Sequence, residues 1–157
     1  MKAKLTPIQG SITAPRGFRA SGVFCDIKRL GTGKGSNKGK KRDLALIVSD
    51  APATVAGMFT TNQACAAPVK VCAERLKKGR AQAVVANSGN ANACTGRQGL
   101  KDARDMVLFA EAALGLPQGS AFVGSTGRIG VTMPMDNVRA GIIEAAVGLG
   151  SSTTHAA

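Results

Sequence analysis

Gly124-Ser125-Thr126-Gly127-Arg128-Ile129-Gly130 is a string whose residue types and spacing can do chemistry. It follows an apolar run and reads as the end of a short strand, Ala121 to Gly124. A strand ending in Ser-Thr-Gly brings a hydroxyl and a glycine N–H to a sharp turn. Two donors aimed at one oxygen meet the requirement for an oxyanion hole, which holds negative charge as it develops in acyl transfer. The same residues also suit an ordinary strand-to-loop turn. A second string, Ala86-Asn87-Ser88-Gly89-Asn90-Ala91-Asn92-Ala93-Cys94-Thr95-Gly96, carries no charge. It follows an apolar run, Ala81 to Ala86, that reads as a buried strand. Asn tolerates left-handed backbone angles and hydrogen-bonds its neighbours, and Gly reaches dihedrals closed to other residues. The string therefore reads either as a loop shaped to hold something close or as a plain surface turn.

Other chemistries fail on spacing. Gly39-Lys40 would need a glycine at Lys34 and a hydroxyl residue at Lys41 to make a phosphate loop. Gly31-x-Gly33-x-Gly35 is not the dinucleotide fingerprint. The single histidine, His155, sits near the end in a polar stretch, a poor place for a rigid catalytic base. The carboxylates show no paired spacing. Cys25, Cys65, Cys72 and Cys94 form no C-x-x-C pair as a structural zinc would want, and the apolar or small neighbours of Cys25, Cys65 and Cys72 lead to buried free thiols as the expectation for those three. Neither metal nor cofactor is expected.

The elements that must position these strings fit one domain spanning 1–157. With five Phe and neither Trp nor Tyr, the core must be built from aliphatic residues. Residues 1–19 read as an irregular lead-in. Ala20 to Ile27 and Asp43 to Asp50 read as two strands of a hairpin. Their connection, 28–42, holds seven of the 21 basic residues behind the net charge of +12. Its interleaved glycines suit a solvated loop, and without aromatic residues to stack on bases, no nucleic-acid partner is expected. Val55 to Thr60 and Pro68 to Cys72 read as short strands, and Ala73 to Lys78 as a short helix stopped by Gly79.

From Gln98 to Leu114 the period changes. Leu100, Ala103, Met106, Val107, Ala110 and Leu114 recur at helical steps, ended by Gly115 and Pro117. A second long helix is expected from an N-cap at Asp136 through Leu149. Residues 151–157 read as a polar tail. Strands before helices indicate an α+β, layered arrangement in which both helices cover one sheet. No apolar stretch approaches the ~20 residues of a membrane span, and a cytoplasmic protein is expected.

Taken together, the strings resemble the ornithine acetyltransferase family, the glutamate N-acetyltransferases of arginine biosynthesis. The resemblance rests on Gly17-Phe18-Arg19-Ala20-Ser21-Gly22-Val23, Arg42 to Asp50, Gly57-Met58-Phe59-Thr60-Thr61-Asn62, and Ala66-Ala67-Pro68-Val69. The Asn-rich string, Ser125-Thr126-Gly127-x-Ile129-Gly130 and Pro134-Met135-Asp136 complete it, in order from about Pro15 to Gly141.

The resemblance implies an N-terminal-nucleophile type of α/β sandwich, built from α and β chains that a precursor makes by cleaving itself before a threonine. That new N-terminal threonine is the nucleophile, activated by its own α-amine. It takes acetyl from N-acetylornithine and passes it to glutamate, and some members also use acetyl-CoA. The chains assemble as α2β2 or larger. The oxyanion hole maps to Thr126 and Gly127, with the Asn-rich string expected to support the site. Arg128 stands where many members carry an apolar residue, and the basic loop is longer than usual.

The family's nucleophile lies in a downstream string ending Thr-Met-Leu, which this sequence does not contain. Thr132-Met133 comes too soon and is followed by Pro134. The expectation is an α-chain portion that acts with a β-chain partner. The rival readings are an inactive interaction subunit, a related N-terminal-nucleophile amidase or acetyltransferase of secondary metabolism, and an acidic-partner or nucleic-acid module built on the basic loop.

Overall fold

The computed structural model describes Thr6, residues 11–28 and residues 41–149. Among them the element order is β1 (Phe18–Val23), β2 (Leu44–Thr54), α1 (Ala67–Leu76), β3 (Arg80–Asn90), α2 (Gly96–Leu114), β4 (Ala121–Arg128) and α3 (Met135–Gly148). Residues 29–40 of the basic loop, the tail 151–157 and His155 lie outside the described residues.

The strands form one sheet in the order β1-β2-β3-β4. β1, β2 and β3 pair antiparallel, and β4 joins β3 in parallel through the crossover helix α2. All three helices pack against the sheet, and α1 and α3 both flank α2. Alternate residues Leu44, Leu46 and Val48 of β2 and Ala83 and Val85 of β3 enter the shared core. Their neighbours Ala45, Ile47, Val84 and Ala86 point to the other face and stay partly or well exposed. This is the layered α+β arrangement expected. Among the described residues no helix is long and apolar enough to cross a membrane.

Helix α2 follows its apolar stripe, burying Ala103, Met106, Val107 and Ala110. Gly115 ends it with φ +65°, and the Leu116 N–H reaches back to the Glu111 carbonyl. Glu111 is itself buried. Its Oε1 accepts from the Gly119 and Ala121 N–H groups at 2.8 and 2.9 Å and pairs with Arg75, fixing where β4 begins.

Several expected boundaries are corrected. Pro68 to Cys72 is helix, not strand. Its Val-Lys-Val alternation mimics a strand, but proline near the first helical position and burial of Ala67, Pro68, Val71 and Cys72 on one face favour α1. Val55 to Thr60 makes no strand, and the backbone there is largely exposed. β1 takes in Phe18 and Arg19 from the expected lead-in and stops at Val23. Asp136 is not the N-cap. That position is Pro134, and Asp136 lies in the first turn, where a carboxylate favours the helix dipole.

Candidate functional site

Both chemistry-bearing strings change character in the structure, and for the same reason. β3 runs on through Asn87-Ser88-Gly89-Asn90, and β4 runs on through Ser125-Thr126-Gly127-Arg128. Half of the Asn-rich string is strand rather than loop, and Thr126-Gly127 ends a strand rather than sitting on a sharp turn. The two extensions pair with each other. Asn87 stands opposite Ser125, Ser88 opposite Thr126 and Gly89 opposite Gly127, and then the register shifts around Asn90. The two strings expected as separate turns are thus one structure at the carboxyl ends of two parallel strands. Open α/β sheets commonly bind ligands at such ends.

Glycine is required on both sides of this contact. Gly127 has φ +132° and Gly89 φ +112°. A Cβ on Gly127 would fall 2.6 Å from the Asn90 nitrogen and 2.7 Å from the Gly89 oxygen. A Cβ on Gly89 would meet Lys28 at 2.9 Å from its Cβ. The backbone of Lys28, where the basic loop starts, is therefore packed onto β3 beside the site. Asp43 holds that corner, accepting from the Cys25 and Ile27 N–H groups at 2.6 and 2.8 Å.

The asparagines face inward and bind backbone. Asn87 Nδ2 donates to the Asn90 carbonyl at 2.9 Å. Asn90 Nδ2 donates to the Val131 and Thr132 carbonyls at 3.0 and 3.1 Å. Asn92 has φ +47°. Its Nδ2 donates to the Gly99 carbonyl, and its Oδ1 accepts from the Thr95 hydroxyl. Gly99 is tight for that reason, since any Cβ there would strike Thr95 Oγ1. These partners account for Asn at 90 and 92 without a ligand, whereas Asn87 keeps a buried Oδ1 with no hydrogen-bond partner among the described residues.

Thr126 and Gly127 themselves are exposed, and so are Arg128 and Ile129. By strand alternation Thr126 shares the helix-free face of the sheet with Phe122, Gly124 and Ser88. A shallow groove of about 360 Å³ lies on that face, lined in part by Gly22, Arg42, Ala45, Ala86 and Ser88. Lys28 lies against Gly89, Arg42 and Asp43 both line the groove beside Ser88, and Arg128 is the last residue of β4. On the inner side, burial pushes the Asp102 carboxyl up, and Gln98 donates to its Oδ1 at 2.7 Å.

Among the described residues no group of three or more His, Cys, Asp or Glu is placed to hold a metal. Cys25 and Cys72 are buried, Cys65 is half-buried and Cys94 is exposed, and all four are free thiols. Burial also pushes the Cys72 thiol up, and its Sγ donates to the Val123 carbonyl at 3.1 Å. Two contacts were hidden from sequence reasoning: Lys28 against Gly89, and Asn90 across to Val131 and Thr132. The separation of 42 residues between Asn90 and Thr132 leaves no local signal of the second.

A sequence model of the ArgJ family matches residues 20–157. The chain is 50% identical over 142 residues to the arginine biosynthesis bifunctional protein ArgJ of Symbiobacterium thermophilum, covering 90% of this chain and 34% of that protein. It is 48% identical over 142 residues to the protein of that name from Caldanaerobacter subterraneus, covering 90% and 33%. The chain thus spans about a third of the length of the curated relatives it matches. Two crystal structures share its architecture. That of arginine biosynthesis bifunctional protein ArgJ from Bacillus halodurans superposes with a TM-score of 0.77 at 39% identity, over 87% of this chain and 69% of that one. That of ornithine acetyltransferase complexed with ornithine, from Mycobacterium tuberculosis, gives 0.79 at 37%, over 94% and 78%.

Proposed function

The chain belongs to the ArgJ family, and on that footing we propose that it is the α-chain portion of a glutamate N-acetyltransferase. In this reading the assembled enzyme moves acetyl from N-acetylornithine to glutamate. The acyl group rests on the N-terminal threonine of a β chain, which this sequence does not include. Thr126 and Gly127 hold the negative oxygen that forms when that threonine attacks the acetyl carbonyl. The tetrahedral centre then collapses and expels ornithine. A second passage through the same geometry delivers acetyl to the glutamate amine.

The observation that carries the reading is the strand-end pairing of Gly89 with Gly127. It leaves Thr126 and Gly127 exposed on a backbone fixed from beneath. Donors fixed in advance stabilise a developing charge without reorganising at the moment of reaction. A partner layer such as a β chain would supply is supported by the sheet itself. Helices cover one face, while the face carrying Thr126 also carries the half-buried Ile47 and the exposed Val84, side chains that gain from a second layer. The ornithine bound to the Mycobacterium tuberculosis neighbour supports an N-acetylornithine donor.

The test is transfer by the purified full-length protein. N-Acetylglutamate and ornithine should form together from N-acetylornithine and glutamate, in equal amounts. Product formed only when acetyl-CoA replaces N-acetylornithine would reassign the donor. Absence of transfer from either donor would leave the chain without this function.

A further inference from the structure

We propose that Asn90 is a positioning residue for Thr126 and Gly127, an inference that rests on the oxyanion reading above. Asn90 is 2% exposed and touches the chain on both sides of Gly127. Its backbone pairs with Thr126 and with Arg128 across the register shift. Its side-chain amide then reaches past Arg128 to the Val131 and Thr132 carbonyls. Its Oδ1 accepts from the Asn92 N–H at 2.8 Å, which locks the amide orientation.

The return segment after Gly127 depends on these bonds. Arg128, Ile129, Gly130 and Thr132 are exposed, so little apolar packing holds the chain between Gly127 and Met133, where the core takes it up again. Backbone hydrogen bonds run from the Ala91 N–H to the Arg128 carbonyl and from the Gly130 N–H to the Ala93 carbonyl, both 2.8 Å. Asn90 adds the only side-chain bonds described between β3 and residues 131–132. Two donors on one planar group serve two carbonyls, which an amide supplies and a carboxylate of equal size does not. Without them the chain that leaves Gly127 is loosened, while the apolar halves of β3 and β4 stay in the core. Displacement of a positioning group by about 1 Å can cost ~10²-fold in rate.

The test uses the matured full-length enzyme, with turnover counted per cleaved active site. Asn90→Ala should lower kcat by about 10- to 100-fold with both KM values within about twofold. Asn90→Asp keeps the shape and the Asn92 bond but lacks the donors, and should lose as much. Val107→Ala, which opens the core on α2 far along the chain from the site, should lower Tm and leave kcat in place. The decisive measurement is the double variant. If Asn90 acts through the pair, adding Asn90→Ala to the Thr126→Ala enzyme costs a smaller factor in kcat than Asn90→Ala costs in the parent, since only the Gly127 donor is left to displace. Losses that multiply would overturn the positioning role, as would a kcat within twofold of the parent in both Asn90 variants. If Thr126→Ala alone leaves kcat unchanged, the oxyanion reading fails, and this inference with it. A normal effect at Thr126 with none at Asn90 sinks only the present inference.

Discussion

Gly127 stands directly against the Gly89–Asn90 peptide, so close that a β-carbon on Gly127 would lie 2.6 Å from the Asn90 nitrogen. At φ +132° the position also disfavours any L side chain. Strain and overpacking act together there, each worth roughly 1–3 kcal/mol. Gly127→Ala should therefore shift the urea midpoint of the full-length protein clearly downward, with a cost of about 2–6 kcal/mol. An unchanged midpoint would mean that the two strand ends are not in contact.

A second close contact seats α3. A Cβ on Gly141 would collide with Cys25 Sγ, and Asn137 Nδ2 donates to the Cys25 carbonyl at 2.7 Å. Gly141→Ala should destabilise by about 1–3 kcal/mol through overpacking. Adding Cys25→Ala removes the obstructing sulfur, so the double variant should be more stable than the sum of the single changes. Strict additivity in a thermodynamic cycle would contradict this packing.

The structure holds more than either string alone disclosed. The core strand Leu44–Val48 and the stripe of α2 are legible in sequence because burial on one face imposes a period that local residues record. The ends of β3 and β4 are not. Asn, Ser and Gly are depleted in strands, and it is pairing with each other, and of Asn87 and Ser88 with the start of β2, that keeps Asn87–Asn90 and Ser125–Arg128 extended. Pro68–Cys72 misleads for the opposite reason, since Val69 and Val71 carry strand preference while packing on the core selects helix. Thr126 and Gly127 are singled out by the family resemblance. Their support by Gly89 and Asn90 is not, because that contact is set by tertiary structure.

The cysteines differ in reactivity. Burial pushes the Cys25 thiol up to about 12, with the Asp43 and Glu144 charges adding to it. Thiolate is the reactive form, so in this chain Cys94, which is exposed, should alkylate well before Cys25 at pH 8. Peptide mass mapping of a timed iodoacetamide reaction reads the order. The same shift has a stability sign. A thiol raised in the fold contributes fully below its ordinary value of 9.0, and that contribution is lost as pH rises from there toward 12. Cys25→Ala should flatten the fall in Tm across that window, and equal labelling of Cys25 and Cys94 would contradict the burial.

We propose that Thr126 and Gly127 stabilise the oxyanion of acetyl transfer. Steady-state transfer from N-acetylornithine to glutamate by the full-length Thr126→Ala enzyme tests it most directly. Loss of one such donor typically costs ~10²–10³ in kcat. The account predicts a fall of that size with Tm near that of the parent, since Thr126 is exposed and contributes little to the core. A Thr126→Ala enzyme that folds, matures and turns over at the parental rate would contradict it.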